Sequence, residues 1–295
     1  MVERALPSTL VGALSLVERL GHRPNTAVLI ITVDGLGTSH AATAAGHDAL
    51  RNGLATSAGL VVPGPWARWS ADAYGGEDIG VQLTVNAAHP LVRWGPLTHA
   101  PTLGDGAGAF PRTPADLGEH ADDEELRREV RAQLERAGEW GIDVTHLSVH
   151  LDALWLRPEL FDVVLEVAVA NALPVRPPTA ALEATLGFPL RALAAAEGII
   201  CPDRVVRATP GRTTRLVLEA ALDAPRPGVT EVIVTPALDT PEHRALAGAD
   251  GAGPGVIGDP DDYVLVTSDA YIAAKVASSG VVLTGWRALR DAQRA

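Results

Sequence analysis

The chain has 295 residues, 47% of them hydrophobic, and a formal net charge of −12 from 24 basic and 36 acidic residues. That length can bury a substantial core, and the apolar content excludes wholesale disorder. The acidic balance repels phosphate backbones and so argues against a nucleic-acid partner. A single cysteine, Cys201, excludes an internal disulfide and suits a reducing cytoplasm.

The chain opens with MVERALPSTLVGALSLVERLG, in which Glu3, Arg4, Glu18 and Arg19 flank a short apolar run with no small-residue cleavage site. It reads as an amphipathic helical extension over residues 1–24 rather than a signal peptide. No apolar run reaches the ~20 residues of a membrane span. The expectation is a soluble, cytoplasmic protein with no membrane contact.

Strand-like runs follow at Ala27–Val33, Leu54–Val62, Asp78–Val85 and Val144–Leu151, then at LPVR ending in Arg176, Ile199–Val206, Thr230–Pro236 and Gly280–Trp286. Helical patterns separate them. The clearest is DDEELRREVRAQLERAGEWG, with Asp122 or Asp123 placed to cap it, acids in its first turn and Gly138 or Gly141 to end it. Regular strand–helix alternation implies parallel strands with right-handed crossovers. Seven or eight such units favour a closed or nearly closed (β/α) barrel, one domain spanning 1–295. Two stretches depart from the pattern. Residues 86–120 form a Pro/Gly-rich connection read as a lid or active-site loop, and 245–262 read as a flexible, solvated loop that includes Asp261 and Asp262.

Polar faces mark the site. In GVQLTVN, Gln82, Thr84 and Asn86 alternate with Val81, Leu83 and Val85; in VTHLSVHLD, His146, Ser148, His150 and Asp152 alternate with Leu147, Val149 and Leu151. The polar sets should line a barrel interior near the carboxyl ends of the strands, where barrel sites form, and Asp34 ends the first strand there. A strand-end aspartate can also be a helix cap, and buried histidines are often satisfied by backbone. Three polar strand ends together point to a functional cleft. No phosphate loop, nucleophile elbow, Cys-x-x-Cys or dinucleotide fingerprint is present.

The segments AVLIITVDGLGTSH, VPGPW, IGVQLTVNAAHPLVRWGPL, VTHLSVHLDAL and TEVIVTPALDTPEHRAL, in this order, resemble the YdjC-like family of carbohydrate deacetylases. The resemblance implies a distorted TIM-like barrel, often dimeric, that removes acetyl groups from amino sugars with a divalent metal. It places Asp34 at the family's base and gives Gly35 and Gln82 at two metal-ligand positions, with His150 the one matching ligand retained. His146 is also kept, Ser148 stands for an aspartate, and Thr235 for the histidine of acid catalysis. Gly35 offers no side chain and Gln82 only a neutral amide, whereas a catalytic ion needs about three protein ligands. Asp34 and His146 are therefore the catalytic candidates. Gln82, His150 and Trp94 are candidates for substrate binding, with Trp66 and Trp69 as further stacking surfaces. The expected cofactor is none, the expected partner a small carbohydrate-like ligand, and the expected assembly a homodimer. In the alternative, His40, His47, His89 or Asp152 replace the lost ligands and hold one zinc or magnesium ion. A third reading is a metal-independent hydrolase using Asp34 with His146 or His150 as an acid–base pair; a glycosidase would need two carboxylates, and Asp34 with Asp152 is the pair on offer.

Overall fold

The computed structural model describes residues 14–249 and 254–295. Most of the predicted N-terminal extension lies outside them, and its described part holds one turn of helix, Leu16–Arg19, capped by Ser15. Among the described residues, seven parallel strands form one sheet: β1 Ala27–Leu36, β2 Ser57–Leu60, β3 Ile79–Leu83, β4 Leu147–Val149, β5 Arg204–Val206, β6 Gly228–Val234 and β7 Val282–Leu283. Their order is β4-β3-β2-β1-β6-β5. β6 occupies one edge of β1 from Ala27 to Val33, so β7 and β2 share the other edge, β7 at Val28 and Leu29 and β2 from Thr32 onward.

The result is an α/β fold with a curled parallel sheet, as the strand–helix alternation implied. The ladder is less regular than seven or eight equal staves. The predicted LPVR strand contributes a single bridge, Val175 to Leu147, and the Val175 N–H donates to the Ile200 carbonyl at 3.1 Å. Prolines flank this stretch at 174, 177 and 178, and proline cannot donate to a ladder. Regular pairing therefore stops at β4 on one side and β5 on the other.

The period-two logic holds on β1. Leu29, Ile31 and Val33 pack with the outer helices, while Val28 and Ile30 belong to a second, smaller apolar cluster with Val229, Ile200 and Trp286. Thr32 and Asp34 continue that inner face. Trp286, the first residue of the helix Trp286–Arg294, is fully buried; its Nε1–H donates to Glu231 Oε1 at 3.0 Å.

Local signals placed the helices. Asp122 is the cap of Asp123–Glu139, its carboxylate accepting from the Glu124 and Glu125 N–H groups at 3.0 Å, and Gly141 follows the helix with φ +83°. The 86–120 connection carries a short 3-10 turn, Pro101–Leu103, and the helix Pro114–His120. Residues 250–253 of the 245–262 segment lie outside the described residues, and its C-terminal part differs from the reading as a solvated loop. A helix starts at Pro260, capped by Asp259, and Asp262 is buried. The Pro-Asp-Asp sequence is a helix start, with proline at the first position and acids in the first turn. No helix among the described residues is long and apolar enough to cross a membrane.

Candidate functional site

A cleft of about 930 Å³ opens at the carboxyl ends of the strands. Asp34, Gln82 and His150 line it, as the polar faces predicted, together with Trp155, Arg176, Thr235 and Asp262. Asp34 is the focus of its floor. Arg176 Nη1 donates to both carboxylate oxygens, at 2.7 and 2.9 Å, and Gln82 Nε2 donates to Oδ2 at 3.0 Å. The Gln82 side-chain oxygen in turn accepts from the Gly35 N–H at 3.2 Å. One amide thus ties the first strand's loop to its own carboxylate. Gly35 sits at φ +91°, a backbone region that side chains disfavour.

Below the floor lies a second polar layer. Glu231 is fully buried in mid-β6 and its Oε1 accepts from Arg176 Nε at 2.9 Å and from the Thr32 hydroxyl at 2.6 Å. Arg176 therefore spans both layers. Burial alone would lower its pKa, but Asp34 and Glu231 more than offset this and hold it above its usual value. A lone acid within TEVIVTP and an arginine ending LPVR were the sequence's signal of this pair, since a charge in an apolar strand requires an interior partner. Pattern reading alone did not match the two.

His146 belongs to this lower layer and not to the cleft, against its assignment as a catalytic candidate. It shares a face with Ser148 and His150, but it precedes His150 by four residues, and the strand between them carries it deeper. Its ring stacks on Trp286 with centroids 4.5 Å apart and planes 13° from parallel, over Gly80, where a Cβ would meet Nδ1 at 2.4 Å. Burial, reinforced by the charge of Arg176, holds its pKa well below the ordinary histidine value.

His150 is buried at the cleft wall, and burial lowers its pKa to about 4, the Asp34 charge opposing the shift. It is neutral in the folded state at neutral pH. Unfolded, it would titrate near its ordinary value of about 6.5. Its contribution to stability is thus complete above that value and lost as pH falls from about 6.5 toward 4, on the order of 3 kcal/mol. Urea unfolding from pH 7 to 4.5 should show this decline added to that of buried His146, and His150→Gln should make it shallower; an equally steep decline in the variant would assign it elsewhere.

The tryptophans divide. Trp94 is buried, donates from Nε1 to the Asn86 carbonyl at 3.0 Å and lies beside His150 at 5.9 Å, but it does not line the cleft. Trp66 and Trp69 cluster with His40 away from it. Trp155, in the 3-10 turn His150–Trp155, is the indole at the wall. Of the substitute ligands, His47 bonds to Ser70 at 2.9 Å and His89 accepts from the Leu91 and Val92 N–H groups. Only Asp152 reaches the cleft, where it is paired with Arg207.

Asp262 is the residue that sequence reading missed. It is 5% exposed and accepts from the Thr235 N–H at 2.8 Å and hydroxyl at 3.3 Å. Burial raises its pKa; hydrogen bonds from Thr235 and Thr214 oppose this and the Asp259 charge adds to it.

A sequence model of the YdjC-like protein family matches residues 28–270. The chain belongs to the YdjC-like family. It is 37% identical over 246 residues to a carbohydrate deacetylase of Thermus thermophilus, covering 79% of this chain and 86% of that one. A carbohydrate deacetylase of Geobacillus stearothermophilus is 34% identical over 151 residues, 50% of this chain and 58% of its own. Among solved structures, a protein of Enterococcus faecalis named for cellobiose-phosphate cleavage superposes with a TM-score of 0.74 at 21% identity, over 90% of this chain and 99% of that one. That likeness concerns the fold alone.

The residues present do not fit the family's divalent ion. Asp34 is engaged by Arg176 and Gln82, the Gln82 oxygen by the Gly35 N–H, and His150 is the one histidine lining the cleft among the described residues. Among those residues no three histidine, cysteine, aspartate or glutamate side chains are grouped to hold a metal.

Proposed function

We propose that this YdjC-like chain binds a small carbohydrate in the cleft and does not run metal-dependent deacetylation there. The observation that carries this reading is the Gln82 amide, which bonds both to Asp34 and to the Gly35 N–H at the positions where ligands would be needed. Resemblance to carbohydrate deacetylases supports the ligand class, and the cleft has room for a sugar and its water. Trp155 offers one apolar wall, and Asp34, Gln82 and Arg176 offer a polar floor. The same reading takes the curled sheet as a distorted TIM-like barrel, and the protein as a cytoplasmic homodimer.

The test pairs binding with turnover. Calorimetry with N-acetylglucosamine and its β-1,4-linked oligomers should give measurable affinity, while acetate release should stay at background with added zinc or magnesium. Acetate release that a chelator abolishes would overturn the proposal and show that substitute ligands assemble in solution.

A further inference from the structure

We propose that Asp262 is the group by which the cleft recognises a primary ammonium, so that its ligand is a sugar bearing a free amine in preference to the N-acylated form. This rests on the carbohydrate-binding reading above.

Two other carboxylates of the cleft, both partly buried, are already paired. Asp34 is held by Arg176 and Asp152 by Arg207. Asp262, nearly as buried as the floor itself, is bonded by neutral donors: the Thr235 N–H, the Thr235 hydroxyl and Thr214. A desolvated carboxylate that lacks a counter-charge is costly, and neutral hydrogen bonds only partly offset this. An ammonium ligand would supply the missing charge. A hydroxyl would supply a hydrogen bond alone.

Register places the group. Val33 of β1 is the partner of Val234 of β6, so Asp34, the next residue of β1, and Thr235, just past the end of β6, stand side by side. Asp262, anchored on Thr235, therefore flanks the Asp34–Arg176–Gln82 floor, and all of them line the same cleft. The same donors fix the carboxylate's orientation before a ligand arrives, which lowers the cost of binding. The direction of its pKa, raised first by burial, agrees with a charge that awaits a partner. The remaining arginines that line the cleft are otherwise disposed. Arg215 is paired with Asp269, and Arg212 stands exposed on the rim, where solvent screens it. An anionic ligand would find its partner in water; a cationic one finds Asp262 buried.

Titration at pH 7 with glucosamine, N-acetylglucosamine and ethanolamine, followed by calorimetry or by NMR shifts, tests the proposal. Glucosamine should bind about tenfold more tightly than N-acetylglucosamine, the range expected of a hydrogen bond to a charged group. Asp262→Asn, checked for folding by circular dichroism, should bring the two sugars within about twofold, and Asp262→Glu should keep the order. Equal binding in the parent, or a preference that survives Asp262→Asn, overturns the proposal. If neither sugar binds but ethanolammonium does so in an Asp262-dependent way, the carbohydrate reading fails while the ammonium site stands. If ethanolammonium also fails to bind, the site is refuted.

Discussion

The double variant Gly35→Asp/Gln82→His is expected to bind zinc at least about tenfold more tightly than the parent, whereas either single variant gains little. The reason is cooperative: a metal needs about three protein ligands together, and even one lost supporting residue typically lowers affinity by about 10- to 100-fold. The wall of the same cleft already offers His150. Replacing Gln82 also removes the amide that engages Asp34 Oδ2 and the Gly35 N–H. Two features resist. Gly35 lies at φ +91°, where an aspartate is strained by roughly 1 kcal/mol or more, although a Cβ there would meet only Thr38, at 3.6 Å or beyond. Arg176, bonded to both Asp34 oxygens, places a positive charge near the incoming ion. Calorimetric titration with zinc is the measurement. A folded double variant that binds no better than the parent would mean that the floor is built around Arg176 and Gln82 too rigidly to accept an ion.

How much of this was legible in the sequence depended on whether the signal was local. Strand ends were, because an apolar run that stops at Asp34, or alternates up to Gln82 and His150, reports its own face. Depth was not. His146 and His150 share a face, yet His150 lies in the cleft wall and His146 under Trp286, and only the arrival of the C-terminal helix decides between them. Pairing was equally hidden: Arg176 and Glu231 are 55 positions apart, and each alone reads as an isolated charge. Asp262 was misjudged because its glycine- and proline-rich surroundings suggest solvent, whereas Asp259 and Pro260 start a helix that turns the carboxylate inward onto Thr235. The polar faces that carry Gln82 and His150 were readable; what engages Asp34 between them required the fold.

The largest effect on stability should come from Arg176→Met, a destabilisation of about 3–5 kcal/mol. Arg176 is the counter-charge of two carboxylates, and they differ in their ability to survive without it. Asp34 faces the cleft with its side chain 15% exposed and can take up water, but Glu231 is fully buried. Removing one member of a buried ionic set leaves an uncompensated charge, which costs far more than the intact set contributes. A second substitution identifies the culprit. Without its arginine, Glu231 is left without a counter-charge in a fully buried site. Adding Glu231→Gln should therefore recover much of the loss measured by urea unfolding, because the amide oxygen can still accept from Thr32 and from Trp286 Nε1 while carrying no charge. A loss untouched by Glu231→Gln would trace instead to the volume and packing of the arginine stem, and Arg176 would then be a spacer between the two layers rather than their common counter-ion.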